Sequence, residues 1–420
     1  MPVDRRLLRL ALALLLALRL GATWSGEPSQ RVEWPLEARM HAAASYLHAQ
    51  IGSSGKMVYL RSATTAQPIP STRYNLLRHA GTLLALAEYH AEFAPSREQR
   101  IAIQAAFGFL RSCCLRPSRS GANDLALWSE PEVIGGQRSY PVAKLGGAGL
   151  VLAAMARWRP MDPGGVEMAE MQALGNFILS MQRSDGLFHS LHALDEGEHD
   201  PAWVSLYYPG EAALGLVLLH ELDGDARWLE GAVDALLALA REREGQAVPP
   251  PDHWALVATA QLQRVSPAAL QAALPKGFSW QPATGILGVE RLLTDHALAV
   301  AQGMVAEQRP GETPVCAQGG FGADGRTTPA ATRLEGLLAL LAFLPAGERH
   351  AQVHTAVEAG MRFLLDAQLQ SAPVKGAFSR VTPSCFSADP RASEIRIDYV
   401  QHALAAIQAY RALLRPSRLP

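Results

Sequence analysis

Two tyrosines and a glutamate stand together where a predicted helix begins. Tyr207, Tyr208 and Glu211 surround Pro209 and Gly210, and a run of alanine, leucine and valine follows them. Proline suits the first turn of a helix, and the helix dipole favours a carboxylate in that turn. The stretch therefore places two phenol groups and a carboxylate at the mouth of a buried helix, where a working site is expected.

Comparable groups recur at the beginnings of other predicted helices that are otherwise rich in alanine and leucine. If those helix ends meet in one place, their charged and aromatic side chains form a shared site. The candidates for substrate binding are Asn75, Arg78, His79, Tyr207, Tyr208, Trp254, Arg333, Arg396, Tyr399 and His402. The candidates for catalysis are Glu211, Asp252, His253, Glu335 and Asp398.

Two chemistries fit this set of side chains. Glycoside cleavage needs two carboxyl groups on either side of a sugar, and Glu211, Asp252, Glu335 and Asp398 are available. Removing a proton beside the carboxylate of a uronic acid needs a tyrosine or histidine base and cationic groups that neutralise the acid. The sequence leaves both chemistries open.

Several of these residues also have a structural interpretation. Asp252 follows three prolines and suits a helix N-cap, and Glu211 complements a helix dipole. Asp398 and His402 lie one helical turn apart and can satisfy each other, and His79 fits an inner helix with its ring bonded to a neighbouring carbonyl. Their joint position, rather than any one residue, supports a shared site.

Helical periodicity dominates the chain after Trp34 and predicts twelve helices. Ser96 with Gln99 forms a capping box, and Asp162-Pro163 and Thr328-Pro329 are typical of a cap with a first-turn proline. No convincing alternating strand is visible. The predicted helices begin near Pro35, Thr72, Ser96, Lys144, Pro163, Pro209, Asp225, Asp252, Val289, Pro329, Ala346 and Arg396.

Short and long connections alternate between these helices, and a repeat accompanies them. Several odd-numbered helices end in a glutamine that is followed by glycine and an aromatic residue, as in Gln182…Gly186-Leu-Phe188 and Gln368…Gly376-Ala-Phe378. Equivalent helix ends recur at a spacing typical of helical hairpins, and six such hairpins fill the chain. In a ring of hairpins the even-numbered helices lie inside and begin on the face that carries the long loops.

On this pattern the chain resembles the (α/α)6 toroids, which include six-hairpin glycosidases, polysaccharide lyases, glucuronyl epimerases and terpenoid-cyclase toroids. The segment Gln182–Phe188 is similar to a cyclase repeat, but the D-x-D-D acid motif of cyclases is missing. The resemblance covers residues 35–415 and implies an all-α (α/α)6 toroid acting on a polysaccharide or oligosaccharide, by glycoside hydrolysis or uronate lyase or epimerase chemistry. The alternative is a non-catalytic toroid that binds a glycan or a partner in envelope polysaccharide export.

Composition and the amino terminus limit the remaining possibilities. The net charge of −1 gives no support for a nucleic-acid partner. Residues 1–26 combine a basic start, an apolar run and small residues, which predicts a signal peptide or membrane anchor and an exported protein. Membrane contact is expected only through that segment, and the oligomeric state stays open.

Neither a cofactor nor a metal site is predicted, because no Cys/His constellation is visible at the inner helix starts. Cys316 and Cys385 lie in neighbouring long loops on one face, so we expect a disulfide between them after export. Cys113 and Cys114 are expected to stay reduced and buried. Replacing Glu211 by glutamine is expected to remove glycan-directed activity and to leave the fold intact.

Overall fold

Helices of ten or more residues, twelve in the part of the chain described, carry the fold of the computed structural model. The structure describes residues 35–71, 73–119, 122–135, 140–193, 203–276, 278–279, 288–308, 314–322 and 324–415. The predicted leader, residues 1–26, lies outside them. From Leu36 onward the described residues form one compact unit. The odd-numbered helices are α1 Leu36–Gln50, α3 Arg97–Cys113, α5 Met168–Ser180, α7 Ala226–Glu242, α9 Val289–Glu307 and α11 Glu348–Asp366.

The even-numbered helices form a closed inner ring in which each contacts the next and the last contacts the first. This arrangement confirms the predicted (α/α)6 toroid. The inner helices are α2 Leu76–Glu92, α4 Leu145–Trp158, α6 Tyr208–Asp223, α8 His253–Leu262, α10 Thr327–Leu341 and α12 Ile397–Leu414.

Burial separates inner from outer helices as the amino-acid patterns predict. Every residue of α4 except Arg157 is buried, because small and apolar side chains cover its whole circumference. By contrast, α3 buries Ile103, Ala106, Phe107 and Leu110, which lie at the spacing of a single helical face. Inner helices therefore pack on all sides, and outer helices pack on one.

Local sequence signals explain most helix starts. The capping box of Ser96 and Gln99 is confirmed, since each side chain bonds the backbone of the other residue. The start predicted at Asp162-Pro163 is wrong: α5 begins at Met168, because a glycine pair follows the proline and the Asp162 carboxylate instead accepts from Trp158 and Gln104. Thr328-Pro329 is not a cap either, since α10 begins one residue earlier.

Six strands of two to four residues, in the part of the chain described, lie on the face where the inner helices begin. The sequence did not reveal these strands, because elements this short show no alternation. The strands are β1 Leu60–Ser62, β2 Leu115–Arg116, β3 Ala126–Ser129, β4 Val142–Lys144, β5 Leu191–Ala193 and β6 Glu394–Arg396. Antiparallel pairing joins β1 to β6 and orders the others β2-β3-β4-β5, so the long loops are tied to one another.

The glutamine–glycine repeat is a clamp between neighbouring outer helices. Gln368, just beyond α11, donates from Nε2 to the carbonyl of Gly376 at 3.2 Å and to the carbonyl of Arg39 on α1 at 2.9 Å. Gly376 has a φ of 89°, and a Cβ there would overlap the Ala42 carbonyl of α1. The same pair of bonds runs from Gln182 to Gly186 and Gly231, and from Gln308 to Gly319 and Ala356.

The four cysteines form two disulfides. The bond predicted between Cys316 and Cys385 is confirmed, with Cα atoms 5.5 Å apart. The expectation that Cys113 and Cys114 are reduced was wrong, because the two adjacent residues are bonded to each other. Cys114 lies at the C-cap of α3, outside regular helix, where the backbone is free to turn its side chain toward Cys113.

Membrane insertion has no candidate among the described helices, since none of them is both long and apolar enough to span a bilayer.

Candidate functional site

A polar pocket of about 550 Å³ opens where the inner helices begin. Its walls come from the first turns of α2, α6, α8, α10 and α12 and from the loops that precede them. The predicted residues that line it are Asn75, Arg78, Tyr207, Tyr208, Glu211, His253, Trp254, Arg333, Arg396, Asp398, Tyr399 and His402. The ring thus brings together side chains that are up to 327 positions apart (402 − 75).

Two histidines that line this pocket, from two different helices, both lie beside one glutamate of a third helix just behind the pocket wall. His402 of α12 contacts both oxygens of Glu335 of α10 through Nδ1, at 3.1 and 3.0 Å. His253 of α8 lies with Nε2 3.5 Å from Glu335 Oε2, and its ring centroid is 5.5 Å from that of His402. Within the described residues neither ring nitrogen of His253 has a hydrogen-bond partner. The pocket therefore holds one imidazole that contacts both oxygens of a carboxylate and one that has no hydrogen bond in the described structure.

Opposite electrostatic environments separate the two histidines. Burial, together with the charges of His402 and Arg333, holds the pKa of His253 well below its usual value. Burial also opposes charge on His402, but the adjacent Glu335 carboxylate outweighs it and raises the pKa of His402. His402 therefore holds a proton more readily than His253, and a base beside an acid is the pairing that proton transfer requires.

Glu211 projects from the first turn of α6 into the same pocket. Its carboxylate packs against Gly146 at the beginning of α4, where any side chain would overlap Oε2. Oε2 is buried and has no hydrogen-bond partner in the described part of the chain. Burial, with a smaller contribution from Asp252, raises the pKa of Glu211 to about 8. A close backbone and a dry surrounding therefore keep this carboxyl largely protonated at neutral pH.

Asp398 is held between two arginines. Its oxygens accept from Arg396 Nε at 2.6 Å and Nη2 at 2.9 Å, and Arg78 Nε lies 3.1 Å from Oδ2. Arg78 also donates to the hydroxyl of Tyr59, and the Arg396 guanidinium stacks 4.5 Å from the ring centre of Tyr399. These contacts fix one carboxylate and two guanidinium groups on the α12 side of the pocket.

Three of the predicted site residues lie elsewhere. Asp252 is fully buried, caps α8 through Ala255 N at 3.1 Å and pairs with Arg243 at 2.8 Å, so it is structural. His79 is equally buried and bonds Tyr74 Oη and the Ala106 carbonyl, as its structural interpretation predicts. Glu335 lies behind His402 and lines a second cavity rather than the pocket itself.

Sequence reasoning missed the groups that the long loops contribute. Trp203 and Ser205 precede α6 and line the pocket, as do Arg326 before α10 and Arg380 and Arg391 before α12. Loops have no hydrophobic period that orients their side chains, so nothing in the pattern singled these residues out. Their one available signal was position, in the long loops on the face where the inner helices begin.

His253, Glu335 and His402 also have the geometry of a cation site. One ligand atom from each lies within 4.8 Å of the others, and imidazole and carboxylate are common ligands of divalent metals. No local spacing in the sequence reveals this group, because the three residues come from three helices. Against a metal role, the Nδ1 of His402 already contacts the Glu335 carboxylate.

A second cavity of about 570 Å³ occupies the other end of the ring. Alanine and leucine side chains make up most of its wall, with Glu88, Arg157 and Arg264 at intervals. Trp254 and Gln401 line both this cavity and the polar pocket, so they form a floor between the two.

Solved structures share this architecture. A D-mannose isomerase superposes with a TM-score of 0.62 at 10% identity, over 90% of this chain and 100% of its own. The chain has the (α/α)6 toroid fold. Cellobiose 2-epimerase from Spirochaeta thermophila gives 0.60 at 13% identity, over 90% and 96%, and an α-1,6-mannanase from a Salegentibacter species gives 0.57 at 13%, over 91% and 100%. By sequence, no protein-family model and no curated protein matches the chain.

Proposed function

We propose that the protein is a carbohydrate-active enzyme that transfers a proton at a carbon atom of a sugar, as an epimerase, isomerase or uronate lyase does. The observation that carries this proposal is the histidine pair, in which His402 contacts the Glu335 carboxylate, His253 lies beside it without a hydrogen-bond partner among the described residues, and the two pKa values are shifted in opposite directions. The toroid neighbours that act on sugars support the substrate class.

Each member of the pair has a distinct role in this reaction. His253, neutral and unengaged within the described structure, removes a proton from a carbon beside a carbonyl or carboxyl group. The negative charge that develops on the neighbouring oxygen is stabilised by the guanidinium groups on the α12 side of the pocket. His402 returns a proton through Nε2, the nitrogen that Glu335 does not engage. Glu335 acts through His402 and is therefore a positioning residue.

Glycoside hydrolysis is the second candidate, because Glu211 and Asp398 line the same pocket and a protonated Glu211 suits a general acid. Two guanidinium groups, however, occupy the oxygens of Asp398, which leaves it poorly placed to activate water or attack a sugar. An inactive variant of the mannanase is substituted at two consecutive aspartates, and this chain has no two consecutive aspartates. We therefore favour proton transfer.

Deuterium exchange tests the proposal directly. Mono- and disaccharides, including uronic acids, are incubated with the protein in D₂O, and deuterium at carbon is measured by NMR. We expect incorporation by the natural protein and a loss of about 10²- to 10⁴-fold in His253→Gln. His354→Gln, on the outer helix α11, is the matched control and should exchange normally. EDTA should leave the exchange unchanged if the histidines act without a metal.

Other outcomes would contradict the proposal. Release of reducing ends without deuterium at carbon would identify a glycosidase. Tight glycan binding with neither exchange nor cleavage would identify the non-catalytic toroid of envelope polysaccharide export.

We also propose that the protein is exported and contacts a membrane only through residues 1–26. The predicted leader supports this, as do two disulfides, which persist in oxidising compartments. Cell fractionation and the mass of the mature amino terminus test it, and a full-length protein recovered from the cytoplasm with four free thiols would contradict it.

A further inference from the structure

The wall of the polar pocket carries far more cationic than anionic groups. Among the described residues two carboxyl groups line it, Glu211 and Asp398, and Glu211 is largely protonated near neutral pH. The arginines that line it are Arg78, Arg326, Arg333, Arg380, Arg391 and Arg396. A wall with this balance attracts an anion, because cationic side chains in a concave site concentrate counter-charge there.

Most of these arginines already have an acidic partner. Arg78 and Arg396 share Asp398, as described above. The remaining pairs are Arg333 with Glu307 at 2.8 Å, Arg326 with Asp324 at 2.6 Å and Arg391 with Glu394 at 3.9 Å.

Arg380 differs from the others. Among the described residues no carboxylate lies within ion-pair distance of it, and its Nη1 is buried without a hydrogen-bond partner. Buried polar groups in folded proteins are normally satisfied, so an unsatisfied guanidinium nitrogen at a pocket wall indicates a ligand group that completes it.

The backbone holds Arg380 firmly in this position. Its carbonyl accepts from Thr327 N at 3.0 Å, and its own N–H donates to the Glu394 carbonyl at 2.6 Å. It therefore lies in a short ladder between the segments that carry Arg326 and Arg396. The Cys316–Cys385 disulfide joins the same two loops close by. The backbones that carry these three arginines are thus tied to one another.

We propose that this wall is a subsite for an anionic group on the sugar substrate, with Arg380 as its direct contact and Arg326 and Arg396 beside it. The group is a carboxylate, as in a uronic acid, or a phosphate ester, since both match the planar donors of arginine. This inference rests on the proposed function in one respect, that the anion belongs to a sugar substrate. Binding of the anion itself is measurable without turnover.

Calorimetric titration of the full-length protein with D-glucuronate, D-glucose monophosphate and D-glucose tests the subsite. We expect at least one anionic sugar to bind about tenfold or more tightly than glucose, and its affinity to fall as salt is added, while that of glucose does not. Whichever of the two anionic sugars binds more tightly shows whether the subsite prefers a carboxylate or a phosphate. Equal affinity for all three sugars would overturn the proposal.

Variants locate the effect. Arg380→Gln should lose the preference for the anionic sugar and keep the affinity for glucose, and Arg227→Gln, an exposed arginine on α7 paired with Asp225, should change neither. An Arg380→Gln protein that keeps the full preference would overturn the assignment. If that variant does not fold, the salt dependence of anionic-sugar binding by the natural protein tests the subsite instead. His253→Gln should bind the anion normally, so loss of deuterium exchange with retained anion binding separates failure of the proposed reaction from failure of this subsite.

Discussion

The protonation of His402 depends on one neighbouring residue. Glu335 reaches it from a different helix, and this contact holds its pKa above the usual value although the ring is buried. A raised pKa means that His402 keeps its proton at low pH and loses it as pH rises through the folded-state pKa. An enzyme that needs protonated His402 and neutral His253 is therefore active between the two pKa values.

Glu335→Gln should move the alkaline limb of the activity profile to lower pH. The amide cannot stabilise the imidazolium, so the rate near pH 8 should fall by more than the rate near pH 6. The measurement is a pH–rate profile on whichever sugar shows deuterium exchange. Glu358→Gln on α11 is the control, and an unchanged limb in Glu335→Gln would assign Glu335 to packing alone.

Glu211 makes stability depend on pH in a defined direction. Its pKa is about 8 in the folded protein against 4.5 without burial, so the folded state is favoured at low pH and loses that advantage as pH rises through 8. Across this window the loss is about 5 kcal/mol in the free energy of unfolding. Glu211→Gln removes the ionisation and should be more stable than the natural protein near pH 8, with a smaller difference near pH 5.

Thermal or urea unfolding at several pH values measures this difference. A Glu211→Gln protein less stable than the natural one at every pH would contradict the assignment. The same variant separates the two candidate reactions, because hydrolysis requires a proton from Glu211 and transfer between His253 and His402 does not.

The site could be predicted from sequence only where a helix orients it. First-turn residues such as Tyr208, Glu211 and Asp398 point into the ring because inner helices begin there. His79 follows Arg78 by one position, which rotates its side chain by about 100° from the lumen into a helix–helix contact. Arg380 comes from a loop, and Glu335 meets His402 only through the closure of the ring.

At the scale of the secondary structure, the helices were predictable and the short strands were not. Caps such as Ser96 and Asp225 bond the backbone directly, so their sequence signals hold wherever the chain folds. Strands of two to four residues depend on partners from distant loops, as β1 depends on β6. Local pattern contains no information on such pairing.

Gly376→Ala should disrupt the closing clamp of the outer ring. Both Gly376 and Gly224 have positive φ, but only a Cβ at Gly376 would overlap a neighbouring helix, whereas at Gly224 nothing in the described structure lies within 4 Å. Gly224→Ala therefore reports backbone strain alone, about 1 kcal/mol. We expect Gly376→Ala to cost several times as much in urea unfolding, and equal costs would show that the close approach is not important.

Removing the Cys316–Cys385 bond should affect both stability and binding. The bond closes a separation of 69 residues, and its loss should lower the free energy of unfolding by up to about 4 kcal/mol. Because it joins the loops that carry Arg326 and Arg380, the Cys316→Ser, Cys385→Ser double variant should also bind an anionic sugar more weakly. Calorimetry at a temperature where the variant is folded tests the second effect. Unchanged affinity would limit the disulfide to stability.

At the scale of the whole molecule, closure of the ring brings the first helix, α1, and the last, α12, together. Arg411 near the end of α12 bonds Glu37 at the start of α1 at 2.7 Å, and Gln368 clamps α11 to the same helix. A circular permutant that joins residue 415 to residue 36 and opens the exposed turn at Ala346–Gly347 should fold with nearly native thermal stability. A permutant that fails to fold would show that the order of hairpins matters as well as their closure.

The floor formed by Trp254 and Gln401 has a consequence for how water and solutes move. If the lumen of a toroid is open at both ends, a small molecule that enters at one end can leave at the other. The Trp254 indole and the Gln401 amide lie across the lumen and divide it into two cavities that share one wall. A substrate can then enter and leave the polar pocket only on the face that carries the long loops. Glu335, whose contact raises the pKa of His402, faces the second cavity and not the polar pocket.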